Sequence, residues 1–213
     1  MAKIEPFENH TQEYDDWFIE NKNIFLSEIN AVKEFIPLNK NGLEIGVGTG
    51  NFSVPLGIKT GIEPSPHMAR KSRELGIKVI EAVAEDLPFD DEEFDFVLMV
   101  TAVCFFDNVK QAFKEAYRVL KPGGLVIVAH IDGDSKLGRQ YEANKKNSEF
   151  YRDAAFYPVS TITEYLQNAG FSGFDYRQTV FSYQNETVQP VETGFGRGGF
   201  VVVKGIKTGE NRE

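Results

Sequence analysis

A single cysteine, Cys104, stands in the whole chain, so no disulfide can form within it and the sequence fits a reducing compartment. Long apolar runs are missing too. No segment approaches the roughly 20 residues that a membrane-spanning helix needs. Met1 to Asn9 contain no apolar stretch of the kind that opens a secretion signal, so the expected location is cytoplasmic. Positive charge is in short supply, with 23 Lys and Arg against 32 Asp and Glu, a net charge of −9. Such a chain repels phosphate backbones, and neither nucleic acid nor a membrane is an expected partner. Internal repeats, low-complexity tracts and linker-like composition breaks are absent. The 213 residues therefore read as one domain, long enough to bury a core without disulfide or metal.

What is present centres on Leu43-Glu44-Ile45-Gly46-Val47-Gly48-Thr49-Gly50. This is a short buried strand that breaks into three glycines at alternate positions. Glycine lets the backbone turn tightly and approach a ligand, because no Cβ intrudes. A strand, such a loop and then a helix form the usual site for a nucleotide-like cofactor in an α/β sheet. The spacing is not that of the dinucleotide fingerprint, since Asn51 occupies the place of its third glycine. Glu44 adds a carboxylate that suits a ligand bearing positive charge. Glu63, 17 positions beyond Gly46, ends a second strand at Thr60-Gly61-Ile62-Glu63. An acid there grips a ribose diol in dinucleotide folds, and each hydrogen bond to a charged group is worth about 1.5–3 kcal/mol.

Around this core the pattern alternates. A helix is expected over 14–36, with Phe25, Ile29, Val32 and Ile36 on one face and Pro37 as its stop. A short helical piece follows Asn51. Strands are expected at 43–47, 60–63, 77–80, 94–100 and 125–129, with a helix over 109–120 and a tight turn at Lys121-Pro122-Gly123-Gly124. Strands alternating with helices argue a parallel, doubly wound sheet. Residues 131–157 break the rhythm and read as a helical insertion. Thr161-Ile162-Thr163-Glu164 reads as a capping box that opens a helix closing at Ala169-Gly170. Two strands without an intervening helix, near 174–183 and 199–206, are expected to pair antiparallel at the sheet edge. The tail from Lys207 is expected to fray.

Four stretches together resemble the class I S-adenosylmethionine-dependent methyltransferases, in particular the small-molecule branch typified by ubiquinone and menaquinone biosynthesis enzymes. They are Glu44–Gly50, Gly61-Ile62-Glu63-Pro64-Ser65, Ala84-Glu85-Asp86-Leu87-Pro88-Phe89, and Arg118-Val119-Leu120-Lys121-Pro122-Gly123-Gly124. The resemblance implies a Rossmann-like, seven-stranded sheet, mostly parallel with an antiparallel last strand and helices on both faces. It implies S-adenosylmethionine as cofactor. Gly46, Gly48 and Gly50 would line its methionine part, with Glu44 near the amino group and Glu63 on the ribose. Pro64 and Met68 would lie alongside, Ala84 and Glu85 would meet adenine, and Val100 and Thr101 would flank the sulfonium. Residues 1–36 would form a helical cap and 131–157 a substrate lid on one domain, 1–213, as a monomer or homodimer.

Some features depart from the family. Val83 replaces the aspartate that often accepts from the adenine amino group. The segment from Asn51 to Thr60 is short for the first helix. Cys104-Phe105 stands where many relatives carry two histidines. No Asn-Pro-Pro-Tyr or Asp-Pro-Pro-Tyr follows the fourth strand, which speaks against planar amide or nucleobase nitrogens as acceptors. The expected reaction is methyl transfer to a small-molecule acceptor by in-line displacement. Such a reaction needs alignment first, and a base only when the nucleophile arrives protonated. His130 at the end of the fifth strand is the leading base candidate, ahead of Tyr14, Asp132 and Tyr157. Tyr14, Trp17, Phe105, Tyr141 and Tyr157 are the candidate substrate walls, and no metal site is expected. A cofactor-binding regulator without turnover and a protein methyltransferase are the competing readings.

Overall fold

The computed structural model describes residues 4–208. It opens with three helices, α1 (Glu5–Asn9), α2 (Thr11–Glu20) and α3 (Lys22–Lys33). The single helix expected over 14–36 is therefore split. Asn21 leaves the helical conformation with φ −108° and ψ 37°, and its side-chain amide donates to the Trp17 carbonyl at 3.0 Å. That local bond competes with the helical ladder. The expected apolar face holds on α3, where Ile29 and Val32 are buried and Phe25 packs against them.

The alternating region follows in the expected order: β1 (Gly42–Ile45), α4 (Ser53–Leu56), β2 (Thr60–Ile62), α5 (Pro66–Glu74), β3 (Lys78–Ile80), β4 (Phe94–Val100), α6 (Val109–Val119) and β5 (Leu120–Ile131). Then come α7 (Lys136–Asn144), α8 (Val159–Asn168), β6 (Phe171–Thr179), β7 (Glu192–Thr193) and β8 (Phe200–Lys207). One sheet holds all eight strands in the order β3-β2-β1-β4-β5-β8-β6-β7. β1 to β5 run parallel, and β8 enters between β5 and β6, antiparallel to both. The eighth strand, beyond the seven expected, is the two-residue β7, which pairs with Arg177 and Gln178 of β6.

Period-two alternation splits the core between the two faces. Val126 and Val128 of β5, with Val201 and Val203 of β8, pack under Phe113 of α6 and Leu166 of α8. Ile127, Ala129, Phe200 and Val202 face Ile29 and Val32 of α3. Among the described residues no helix is long and apolar enough to cross a membrane.

Local expectations fail where distant residues intervene. Thr161 and Glu164 lie inside α8, which begins at Val159 directly after the extended Pro158. Its first amide bonds Asp132 across 27 positions at 3.3 Å, so a remote carboxylate does the capping assigned to Thr161. Residues 121–124 bulge from within β5, where the register jumps from Phe94↔Leu120 to Phe96↔Leu125. Lys207 is buried and donates to the Leu120 carbonyl at 2.7 Å, so the chain is held there instead of frayed. Residues 209–213 lie outside the described residues.

Candidate active site

The strand order reverses between β1 and β4, and at such a switch point a crevice opens beyond the carboxyl ends of the strands. A cavity of about 660 Å³ lies there, within the usual range for ligand pockets. Ile45, Ile62 and Val100, the last residues of β1, β2 and β4, and Gly46, Glu63 and Thr101 directly after them line its floor. Residues from α1, α2, α3, α7 and the 144–151 segment close it from above.

The loop after β1 is fixed by backbone bonds. The amides of Gly46 and Val47 both donate to the Ile62 carbonyl, at 2.9 and 3.0 Å. Gly46 sits at φ +77°, and a Cβ there would come within 2.8 Å of the Ala102 Cβ. At Gly48, φ +55°, a Cβ would stand 3.3 Å from the Tyr14 hydroxyl. Only glycine leaves this passage open in this conformation.

Glu63 is buried and pinned. Its Oε2 accepts from the Gly48 amide and its Oε1 from the Ser65 amide, both at 2.9 Å. A carboxylate has about four acceptor positions, so two remain for a ligand. Burial pushes its carboxyl up to about 7, although the Ser65 and Gly48 amides pull the other way. Glu44 is buried as well and accepts from the Ser53 hydroxyl. Burial pushes it up to about 8 against that hydrogen bond, with the charge of Glu63 adding to the rise. Two carboxyls so placed are poised to ionise when a cation approaches.

Two β-branched residues on the cavity wall hold left-handed backbone, Thr101 at φ 47° and Val180 at φ 59°. This conformation is strained for such side chains and clusters at functional sites. Thr101 is held there by its amide bond to Ala129 at 2.8 Å, and Val180 by the Gly199 amide at 2.9 Å.

The cavity gathers most of the candidate residues. Gly46, Gly48, Glu63, Pro64, Met68, Ala84, Glu85, Val100 and Thr101 line it, and so do Tyr14, Trp17, Phe105 and Tyr141. Glu44 and Gly50 stand behind this wall. Tyr157 does not reach it. His130 faces a separate void of about 10 Å³ with Cys104, Tyr151 and Tyr157. Its Nδ1 stands 3.1 Å from the Ile131 carbonyl, its Nε2 has no partner, and burial pushes it down to about 4. The ring is thus neutral and turned into the core, because β5 runs on to Ile131 and carries His130 inside the sheet. Asp132 is occupied by the amides of Asp134 and Val159. Tyr14 does reach the cavity, but burial and the nearby charge of Glu63 push its hydroxyl far up, so it stays protonated.

Other residues enter the site without a motif to mark them. Phe7, Phe18, Phe150 and Tyr151 join the aromatic wall, and Phe7 meets Phe105 edge-on at 4.9 Å. Glu28 lines the cavity from α3, 8% exposed. One sequence signal exists for it: a glutamate on the same helical face as Ile24 and Val32 is a charge on the core side. Asp15 ties the cap to the glycine loop. Its carboxylate accepts from the Thr49 hydroxyl, from Asn51 at 3.2 Å and from Lys71 at 2.8 Å.

Residues 43–128 match the family described as methyltransferase domain. The chain is 47% identical over 203 residues to an uncharacterized protein of Methanocaldococcus jannaschii, covering 94% of this chain and 98% of that one. It is 30% identical over 165 residues to a demethylmenaquinone methyltransferase of Chlorobaculum tepidum, covering 65% and 68%. A crystal structure from Thermotoga maritima matches with a TM-score of 0.94 and 46% identity over 96% of this chain and all of that one. It is described as a SAM-dependent methyltransferase, possible histamine N-methyltransferase.

Proposed function

The chain belongs to the class I S-adenosylmethionine-dependent methyltransferases, and we propose that it methylates a small molecule by in-line displacement as one domain spanning 1–213. The observation that carries this reading is the cavity in which the pinned Glu63 and the glycine loop adjoin a chamber walled by aromatic rings. A space of about 660 Å³ shared by cofactor and acceptor suits a small acceptor better than a folded protein.

The residues present fit the cofactor. Glycines at 46 and 48 leave backbone where a side chain would block the passage, and Glu63 keeps two free acceptor positions for a ribose diol. When bound, S-adenosylmethionine supplies an electrophilic methyl group on a sulfonium. Glu44 and Glu63 provide negative charge close to the loop, which favours a cationic ligand over a pyrophosphate. Ala84, Glu85 and Met68 would flank the base and ribose, and Val100 and Thr101 the reacting end. The cap formed by α1 to α3 and the segment 131–157 would exclude water and align the acceptor. Alignment of this kind contributes about 7–11 kcal/mol to well-oriented reactions.

Incubation with methyl-labelled S-adenosylmethionine and a panel of amines, phenols, thiols and carboxylates tests the reading. Labelled product is expected in the small-molecule fraction. Label in added protein alone, or in nothing, would overturn it.

A further inference from the structure

Glu28 is the buried acid of the cavity whose carboxylate has no hydrogen bond or ion pair among the described residues. The other acids on the wall differ. Glu20 and Asp107 are exposed, Glu63 holds two amides, Glu85 accepts from the Asn108 amide at 2.9 Å, and Glu13 meets His10 at 3.4 Å. Among the described residues Lys145 is the sole lysine or arginine on the wall, and its ammonium is spent on Glu142 at 2.8 Å and the Ala154 carbonyl at 3.1 Å. Among the described residues the wall therefore holds a buried acid with no basic partner.

The surroundings of Glu28 are aromatic. Its charge is felt by the hydroxyls of Tyr14, Tyr141 and Tyr151, which come from α2, α7 and the segment after it. Tyr141, Tyr151 and Phe156 form a cluster with centroids 4.9 to 5.7 Å apart, and Trp17 and Tyr183 complete the wall beside Ile24 and Val180. Burial alone pushes the Glu28 carboxyl up to about 8. An unpaired carboxyl in apolar surroundings costs stability. Rings with negative faces around one carboxylate are the arrangement that binds an organic cation.

We propose that the methyl acceptor is a small amine that enters as its ammonium, bound by Glu28, with its apolar body held between the rings of Trp17, Tyr141 and Tyr151. The ammonium proton passes to Glu28, the freed lone pair forms the N–C bond, and the electron pair of the breaking S–C bond stays on sulfur to leave S-adenosylhomocysteine. This rests on the methyltransferase reading and names the substrate class of the same site. A phenol would offer Glu28 a neutral hydrogen bond without a counter-charge, and a carboxylic acid would set two acids together. Glu28 then sets specificity from α3 and not from the glycine loop, so its removal is expected to spare cofactor binding.

The experiment titrates wild type, Glu28→Gln and Glu28→Ala first with S-adenosylhomocysteine and then, at saturation, with two matched pairs. Tyramine is compared with tyrosol, and tryptamine with tryptophol, each pair differing only in an ammonium against a hydroxyl. In wild type at least one amine is expected to bind at least tenfold tighter than its alcohol. In Glu28→Gln the two are expected to bind within about threefold, with S-adenosylhomocysteine affinity kept and the melting temperature no lower than in wild type. Equal binding of amine and alcohol in wild type, tighter alcohol, no binding of either pair, or a preference that survives in both variants would overturn the proposal. Failure of S-adenosylhomocysteine to bind wild type would appear in the first titration, and would strike the cofactor reading before any amine is added.

Discussion

The two ends of the cavity are built on different principles. At the end proposed for the cofactor the wall is backbone: strand ends, glycines at positive φ and a glutamate clamped by two amides. At the end proposed for the acceptor it is side chain, with rings and one buried unpaired acid carried on α2, α3, α7 and the loop after α7. The first end has little freedom, because β1, β2 and β4 fix where their ends lie. The second can change rings without disturbing the sheet. A single scaffold can so keep one cofactor and vary its acceptor, which is why fold alone does not name the substrate.

The largest effect should come from the rigid end. Gly46→Val forces a side chain against Ala102 at a left-handed backbone and should weaken S-adenosylhomocysteine binding by at least about 100-fold in calorimetry. Gly57→Ala is the control, at φ +74° with open space around it. It should cost only about 1–2 kcal/mol of stability and leave affinity unchanged. Next, Glu63→Ala should weaken the cofactor by roughly 1.5–3 kcal/mol with the fold intact. Unchanged affinity would remove Glu63 from the ribose. At the adaptable end, Trp17→Ala should raise the KM of the acceptor by about 2- to 30-fold, the equivalent of 0.5–2 kcal/mol of cation–π contact, and spare cofactor affinity. A matching loss of cofactor affinity would show that the two ends are not separable.

The pH dependence of stability sharpens the same contrast. Glu28, Glu44 and Glu63 have carboxyls raised to about 8, 8 and 7. The folded state therefore holds their protons more tightly than the unfolded chain. Their contribution is full below the unfolded carboxylate range and is lost as pH rises through 7 to 8. His130, lowered to about 4, acts in the opposite direction, its contribution being lost as pH falls from 6.5 towards 4. The melting temperature of the ligand-free protein should then fall between pH 6.5 and 8 in a calorimetric series, and Glu28→Gln should flatten that fall. The smallest effect is expected at His130, which faces the core. Exchange for Asn should change kcat/KM by less than about twofold, and a hundredfold loss would restore it as a base.

Legibility in the sequence follows the same divide. Gly46, Gly48 and Glu63 were readable because backbone constraints leave residue-type signatures at fixed spacing. The parallel core and the antiparallel edge were readable from period and order. Tyr151 and Phe150 were not, since a cavity assembled from helices far apart in the chain has no spacing to read, and Glu28 left only its place on the apolar face of α3. His130 misled because its place at the carboxyl end of a strand says nothing about which way the ring turns. The capping box at Thr161 misled because Asp132, 27 positions away from Val159, outcompetes a local signal.

The central claim is that this cavity holds S-adenosylmethionine with Glu63 as its ribose ligand. The most direct test is titration calorimetry of S-adenosylmethionine, S-adenosylhomocysteine and NAD against the wild-type protein. The account predicts micromolar binding of the first two and none of NAD. Binding of NAD alone, or of none of the three, would contradict it.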